Sequence, residues 1–294
     1  FFTFHLKDME GNKITGKKAL EITIELSIEV GEIASKFLKA PHYFEYEKTF
    51  DPFLLLSKKR YVGMLFEHDP NKGKRKEMGI VLKRRDNAPI VKDVYGGLID
   101  ILMNAHDIPA AIQFVKSFLQ DIVDEKFPLE KLIITKKLNS FYKNPESIAH
   151  KVLAERMGKR DPGNKPSVGS RVPFVYIQTK GKVKLQGNKI ENPEYIRANN
   201  LKPDYGFYIT NQLMKPIQQV FALILEDIPS FKRKVPAFKR KCEYLKQTCK
   251  DDEKYNKKEE ALRNKEVKKI IFDDALRQAN NIKNGQKSIK KFFG

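Results

Sequence analysis

Two short basic segments, at 58–61 and 83–85, hold the residues whose types and spacing best indicate a chemistry. The first leads into residues 61–66, where apolar and polar side chains alternate as in a strand with one buried face. The second follows a short apolar run at 79–82. Because residues 69–73 have the composition of a turn, we predict that 61–66 and 79–82 pair as a hairpin and bring the basic segments together. Such a compact cationic surface on a rigid sheet suits a phosphate backbone. The segments consist of Lys58, Lys59, Arg60 and Tyr61, and of Lys83, Arg84 and Arg85.

This part of the sequence resembles the palm-to-thumb junction of family B DNA polymerases. The likeness rests on the order of the first basic run, Gly63, the pair Gly79-Ile80 and the triplet Arg84-Arg85-Asp86. It implies that the run lies at the minor groove of newly made duplex, with Gly63 and the second basic segment in the same DNA-binding region. A Lys or Arg there can test base-pair geometry without reading base order, since the groove presents similar acceptors for every pair. A solvated basic turn is the alternative.

A second stretch, at 159–177, carries the same resemblance. The loop Lys159-Arg160-Asp161-Pro162-Gly163-Asn164 precedes a predicted strand that begins Arg171-Val172-Pro173, as in the thumb of eukaryotic and large-DNA-virus members. The resemblance implies that three cations of this stretch contact phosphate, and a purely structural loop and strand is the alternative. These cations are Lys159, Arg160 and Arg171.

The resemblance covers most of residues 1–225 in order and includes a predicted strand at 43–48. It places Glu47 of that strand near the metal site of the family. An exposed carboxylate paired with Lys48 is the alternative.

The elements around these residues predict an α+β fold. We expect strands at 1–6, 43–48, 53–56 and 171–177, a strand or extended segment at 128–138, and helices at 17–39, 91–104, 108–125, 144–156, 205–225 (kinked at Pro216) and 259–282. We expect residues 251–258 to be exposed and disordered. The resemblance implies a palm remnant with a sheet and a helix at 1–82, a mostly helical thumb at 83–236 and a basic helical or disordered tail at 237–294.

The overall charge agrees with a polyanionic partner. The 294 residues carry a net charge of +20, which indicates DNA, RNA or an anionic membrane surface. No run of about 18 apolar residues is present, so we predict no transmembrane helix. Two cysteines and the lack of a signal-peptide pattern favour an intracellular, reducing location, the nucleus or a cytoplasmic viral replication site, rather than secretion.

The C-terminal residues match the spacing of a sliding-clamp interaction box. Residues three apart fall on one face of a 3₁₀ turn, so an aliphatic and two aromatic side chains can fill an apolar pocket beside a glutamine. We therefore predict a clamp of the proliferating-cell-nuclear-antigen type as a partner. The box consists of Gln286, Ile289, Phe292 and Phe293.

Catalytic groups are missing from the sequence. Phosphoryl transfer by a polymerase needs two Mg²⁺ ions held by paired carboxylates, and no such pair has a strand or glycine context here. Cys242 and Cys249 alone cannot form a four-ligand zinc site. We predict no catalytic residue, metal or other cofactor within this chain. The resemblance implies that the full-length enzyme uses two Mg²⁺ ions, dNTP and primer-template DNA, and that this part is inactive alone.

Two hypotheses follow. In the first, the chain is the C-terminal palm and thumb of a replicative DNA polymerase, grips primer-template duplex and is tethered to the clamp. In the second, it is a non-enzymatic basic nucleic-acid-binding protein recruited to the clamp. An Asp-Thr-Asp turn just upstream of Phe1 would favour the first, and a nearby start codon the second.

Overall fold

A computed structural model of the chain describes residues 3–283 and 285, except 106, 180, 182 and 250. The chain divides into two compact units, Phe1–Lys83 and Arg84–Gly294. Each unit is described by itself.

In the first unit, one helix packs against a three-stranded antiparallel sheet. Helix α1 spans Gly16–Ser35, which confirms the helix predicted at 17–39. The sheet consists of β1 (Thr49–Ser57), β2 (Arg60–Phe66) and β3 (Lys74–Met78) in the order β1-β2-β3. Strands β1 and β2 contain the predicted strands 53–56 and 61–66. The buried apolar residues of the unit are Leu20, Ile24, Val62, Leu65, Ile80 and Val81.

The predicted partner of β2 is wrong. The strand that pairs with β2 is the charged segment Lys74–Met78, and the predicted strand 79–82 leaves the sheet. Gly79 ends β3 with a φ of 61°, a left-handed conformation that favours glycine, and Val81–Lys83 then form a 3₁₀ turn. Ile80 and Val81 are buried in the core rather than placed on a ladder. The apolar character of 79–82 therefore reports burial and not strand pairing.

Two further predicted strands are also wrong. Residues 3–6 and 43–48 have no regular structure, although Lys7 and Lys13 form an isolated bridge. Segment 43–48 is held by a side chain instead of a ladder, because the hydroxyl of Tyr46 donates to the carbonyl of Glu67 at 2.8 Å.

The second unit is mostly helical and contains a second small sheet. Helices α2 (Pro89–Asp100) and α3 (Ile108–Val123) confirm the predicted helices at 91–104 and 108–125, and a π-helical turn at Ile101–Ala105 extends α2. Strands β4 (Ile134–Lys137), β5 (Arg171–Tyr176) and β6 (Ile190–Glu191) pair antiparallel in that order. The strand predicted at 128–138 is shorter, because Leu129–Leu132 form a 3₁₀ turn. Helices α4 (Ala149–Arg160) and α5 (Pro193–Ala198) contact this sheet.

The segment predicted as one kinked helix at 205–225 is interrupted before its proline. Helix α6 (Tyr205–Phe207) continues through a π-helical turn (Tyr208–Leu213) into α7 (Met214–Leu223). Tyr208 anchors the π-helical turn, since its hydroxyl donates to the carbonyl of Leu132 at 2.7 Å. Burial raises the pKa of this phenol well above its usual value.

The basic C-terminal region is helical where the structure describes it. Helices α8 (Val235–Thr248), α9 (Asp252–Ile271) and α10 (Asp273–Lys283) follow one another. The prediction that 251–258 is disordered is wrong, because the Asp251 carboxylate caps α9 by accepting from the backbone N–H of Glu253 at 2.9 Å. The single helix predicted at 259–282 is two helices, joined at the fully buried Phe272.

One arginine fastens this region to the rest of the second unit. The guanidinium of Arg263, on α9, donates to the carboxylates of Glu259 and Glu226 and to the carbonyl of Ala222, with each distance between 3.0 and 3.1 Å. Because Ala222 lies on α7, these bonds hold α9 against α7.

The architecture as a whole mixes helices with two small sheets, as the predicted α+β class requires. Within the part of the chain that the structure describes, none of the helices combines the length and the apolar character needed to span a bilayer. The predicted clamp box at 286–293 lies outside the described residues.

Candidate nucleic-acid interface

A two-residue turn presents the first basic segment. Ser57 of β1 lies opposite Arg60 of β2, so only Lys58 and Lys59 connect the strands. Lys59 has a φ of 62°, an unusual conformation for a residue with a side chain. Both lysine residues are exposed. We call Lys58, Lys59 and Arg60 the β1–β2 turn cations.

Gly79 allows the chain to pass close to this turn. A Cβ atom at Gly79 would lie 2.2 Å from the carbonyl oxygen of Lys59 and 3.2 Å from Cγ of Arg60. Only a residue without a side chain fits here. The close approach restricts the backbone of the turn on one side.

An aromatic cluster supports the same turn from within the sheet. The ring of Tyr61 lies 5.7 Å from that of Phe50 and 5.5 Å from that of Phe53. Gly63 is buried, and a Cβ there would lie 2.9 Å from Cδ1 of Phe50 and 3.0 Å from Cδ2 of Phe53. Its position shows a packing role, because the phenyl rings occupy the space of its missing side chain.

The β1–β2 turn cations keep their charges available for a partner. Among the described residues, the side chains of Lys58, Lys59 and Arg60 have no hydrogen-bond or ion-pair partner. Uncompensated charges this close repel one another, and a bound polyanion would offset that repulsion.

The second basic segment is split by its contacts. The side chain of Lys83 is outside the description. Arg84 donates from Nε and Nη2 to Asp86 at 3.1 and 3.0 Å, and this hydrogen bond raises the pKa of Arg84 and lowers the pKa of Asp86. Arg85 is exposed, and its guanidinium has no partner among the residues described. Of the two described arginines, Arg85 is therefore the one with a free guanidinium.

In the stretch 159–177, too, some cations have partners within the protein and others do not. Lys159 is exposed and has no partner in the described part of the chain. Arg160 instead donates to the carboxylate of Glu191 at 3.0 Å, and its guanidinium lies 3.6 Å from the centre of the Tyr195 ring. Arg156, one turn earlier on α4, also contacts Glu191, at 3.3 Å. Glu191 is only 4% exposed, so this pair of arginines offsets a buried charge.

Arg171 is likewise engaged within the protein. Its Nε donates to the hydroxyl of Thr135 at 3.0 Å, and its Nη2 donates to the carbonyl of Arg85 at 3.2 Å. These bonds join β5 to β4 and to the segment that carries Arg85. Arg171 therefore positions the backbone of a residue whose own guanidinium is free. No motif in the sequence indicates these partners, because a threonine hydroxyl, a main-chain carbonyl and a distant glutamate have no characteristic spacing from the arginines they bind.

The predicted metal-proximal carboxylate is exposed. The Glu47 side chain is 77% exposed and pairs with Lys48. Within the described residues, no three His, Cys, Asp or Glu side chains are placed to hold a metal ion.

Comparison with known proteins identifies the family. The model of DNA polymerase family B matches residues 13–224. The DNA polymerase of Pyramimonas orientalis virus is 50% identical over 295 residues, which cover 100% of this chain and 24% of that protein. The DNA polymerase delta catalytic subunit of Candida albicans is 36% identical over 210 residues, which cover 71% of this chain and 20% of that protein.

The chain is also similar to solved structures. The family B DNA polymerase from the archaeon Pyrobaculum calidifontis gives a TM-score of 0.44 at 23% identity, with 57% of this chain and 21% of that chain covered.

The chain therefore belongs to DNA polymerase family B, as the basic motifs of its sequence predicted. It spans about a quarter or less of the length of the curated relatives named above.

Proposed function

We propose that this chain is the C-terminal palm and thumb portion of a DNA-directed DNA polymerase and that it grips primer-template duplex during template-directed synthesis. The observation that carries the proposal is the β1–β2 turn, whose cations are free and whose backbone is held by Gly79 and the aromatic cluster. The turn lies within the residues that match the family. In this proposal the palm corresponds to 1–82, the thumb to 83–236 and the tail to 237–294. The change of compact unit after Lys83 supports the first boundary.

The free cations would act by two routes. Ammonium groups of Lys58 and Lys59 donate hydrogen bonds to minor-groove acceptors, which occupy similar positions in every correct pair, and their charges also neutralise the phosphates that flank this groove. Arg85 and Lys159 bind phosphate oxygens without regard to sequence. Arg84, Arg160 and Arg171 stabilise the backbone that presents these groups, since their donors are already engaged.

The number of free cations sets the salt dependence of this grip. Five candidates remain once the three engaged arginines and Lys83, whose side chain is outside the described part, are set aside: Lys58, Lys59, Arg60, Arg85 and Lys159. Each neutralised phosphate contributes about −0.9 to the slope of log affinity against log salt, so the grip accounts for a slope of about −4.5.

The remaining parts of the reaction belong to the full-length enzyme. There we propose two Mg²⁺ ions, dNTP binding and the catalytic carboxylates, with Glu47 near that site. This chain alone then binds duplex but does not polymerise. The clamp box at Gln286, Ile289, Phe292 and Phe293 would tether the enzyme to a sliding clamp. The viral and eukaryotic relatives support an intracellular site of replication, nuclear or viral.

Primer extension by the full-length polymerase tests the proposal. We expect Lys59→Ala to reduce extension by about tenfold, because one charge-assisted contact to DNA contributes roughly 1–3 kcal/mol. Tyr61→Phe keeps the aromatic cluster and removes only the hydroxyl, whereas Tyr61→Ala removes both. A larger loss in Tyr61→Ala than in Tyr61→Phe would show that the ring supports the turn.

Lys72→Ala is the matched control. Lys72 is an exposed lysine at the other turn of the same sheet, but it pairs with Asp69 at 3.1 Å. Extension equal to that of the unsubstituted enzyme in Lys59→Ala, or an equal loss in Lys72→Ala, contradicts the proposed grip. If the full-length protein extends no primer at all, the non-enzymatic hypothesis replaces this one.

A further inference from the structure

Helix α8 has a clean division between a buried apolar stripe and a basic surface. Together with the preceding 3₁₀ turn (Lys232–Lys234) it lies beyond residues 13–224, the part that matches the family. Its inward residues recur at three- and four-residue spacing and fasten it to the second unit. The stripe consists of Phe231, Val235, Phe238, Cys242 and Leu245, all buried or half-buried.

The outward surface of this segment is almost purely cationic. Seven Lys and Arg residues occupy it against a single carboxylate, Glu243, which gives a net charge of +6 over 232–248. All seven are exposed, and none has an ion-pair partner among the residues that the structure describes. We call these seven residues the α8 basic surface. They are Lys232, Arg233, Lys234, Lys239, Arg240, Lys241 and Lys246.

Helix α9 shows that this arrangement is not the rule for the region. It also carries seven Lys and Arg residues, but five acidic residues accompany them. Lys257 pairs with Glu253 at 2.6 Å, Lys269 with Glu266 at 2.6 Å, and Arg263 with two glutamates. These cations of α9 therefore have carboxylate partners, whereas the cations of α8 have none among the described residues.

The character of the surface selects among anionic partners. A membrane-binding amphipathic helix needs an exposed apolar face, and the apolar face of α8 is buried against its own unit. A protein interface needs an apolar centre, and Tyr244 is the one large apolar side chain that the described part of this helix exposes. A row of phosphates needs neither an exposed apolar face nor an apolar centre. It binds to closely spaced cations on a rigid support, and a helix of 14 residues and about 21 Å supplies that support.

We propose that the α8 basic surface binds the phosphate backbone of duplex DNA and forms a second anchor, separate from the β1–β2 turn cations. The choice of DNA rests on the proposed polymerase function. The contact is independent of sequence and adds to the salt dependence, so the slope for the whole chain is steeper than the −4.5 that the five grip cations supply.

The test measures the affinity of the 294-residue chain for a labelled, blunt-ended duplex oligonucleotide. Fluorescence anisotropy gives this affinity at several salt concentrations between about 50 and 200 mM. The variant K239Q/R240Q/K241Q removes three adjacent charges from exposed positions. We expect the slope to become shallower by about 2.7 and affinity to fall roughly 10- to 100-fold near physiological salt. The melting temperature should stay unchanged, because none of the three side chains has a partner in the described part of the fold.

The control variant K257Q/K268Q/K269Q removes the same total charge from three positions on α9 whose side chains pair with Glu253, Asp273 and Glu266. An unchanged slope in the α8 variant, or an equal change in both variants, overturns the proposal. So does a loss of binding to phosphatidylserine vesicles with DNA binding intact.

A parallel variant, K58Q/K59Q, separates this inference from the proposed grip. If only the α8 variant weakens DNA binding, the second anchor stands and the β1–β2 grip fails. If only K58Q/K59Q weakens it, the grip stands and the second anchor fails.

Discussion

The β1–β2 turn and the arginine pair at Glu191 are both basic, yet the chain uses their charges in opposite ways. Arg156 and Arg160 converge on the buried carboxylate of Glu191, and Arg156 also donates to the main-chain carbonyl of Gly187, so both charges are compensated inside the protein. Lys58 and Lys59 sit on the tightest turn of a sheet without a carboxylate in reach among the described residues. The comparison shows that the charge of a cationic motif stays uncompensated where the fold provides no internal partner.

Removing the shared carboxylate should have the largest effect on this comparison. We expect Glu191→Ala to lower the free energy of unfolding by about 3 kcal/mol, because it leaves two half-buried guanidinium groups without their counter-charge. Urea denaturation measures the change. Glu130→Ala is the control, since Glu130 pairs with Arg197 in an exposed position and should cost less than about 1 kcal/mol. Equal losses in both variants would show that burial does not distinguish the two sites.

The next largest effect concerns the support of the β1–β2 turn. Gly79→Ala should destabilise the protein by about 2 kcal/mol or more, since the new Cβ adds a clash with the Lys59 carbonyl to the strain of a positive φ. Gly11→Ala separates the two contributions. Gly11 also has a positive φ, of 86°, but nothing lies within 4 Å of its Cβ position. Thermal unfolding of the two variants should differ by the cost of the clash, and identical melting temperatures would disprove the close approach.

Neutralising the turn itself should change binding and leave stability almost intact. K58Q/K59Q is expected to make the salt slope for duplex DNA shallower by about 1.8, while the free energy of unfolding stays within about 0.5 kcal/mol of the parent. Lys59→Gly sharpens the point, because glycine suits the positive φ and still removes the charge. A marked loss of stability in either variant would show that these lysine side chains contribute to folding, as the paired side chain of Arg160 does.

The smallest expected effect is the contribution of His150, a half-buried side chain, to the pH dependence of the free energy of unfolding. Burial, followed by the nearby charge of Lys136, lowers the pKa of His150, whose ring lies 3.0 Å from the Tyr142 hydroxyl. The unfolded chain then binds a proton more readily than the folded chain, so the free energy of unfolding should decline as the pH falls below 6.5, the ordinary value. Denaturation at several pH values should show this decline in the parent and a weaker one in His150→Gln. An identical decline in both would assign it to other groups.

Much of the fold follows from local patterns in the sequence. The helices at 16–35, 89–100 and 108–123 have apolar residues at helical spacing and enough length to outweigh competing strand signals. The strand predictions at 61–66 and 171–177 succeed because both segments are rich in β-branched and aromatic residues, most of which the sheet buries or half-buries. Local composition is sufficient to predict an element where the residues of that element alone indicate which side chains are buried.

The structure predictions that fail concern segments whose conformation depends on contacts with residues distant in the sequence. Lys74–Met78 pairs with β2 although its residues lack alternation, because an edge strand needs only its backbone to join a sheet. Segment 43–48 alternates but is fixed by a tyrosine hydroxyl. Of the candidate site, the sequence identified the basic residues but not which of them the fold would engage. That sorting depends on Glu191, Thr135 and Asp86, of which only the last is a near neighbour in sequence.

The length of the β1–β2 turn limits how this surface can vary among related proteins. Faces of a strand alternate with every residue, so a one-residue shift of β2 against β1 would move the fully buried Val62 to the opposite face of the sheet. Descendants of this gene can therefore exchange one cation for another at these two positions with little effect on folding. They can lengthen the connection only by changes that leave each side chain of β2 on its present face of the sheet. The length of the turn is therefore more constrained than its charge.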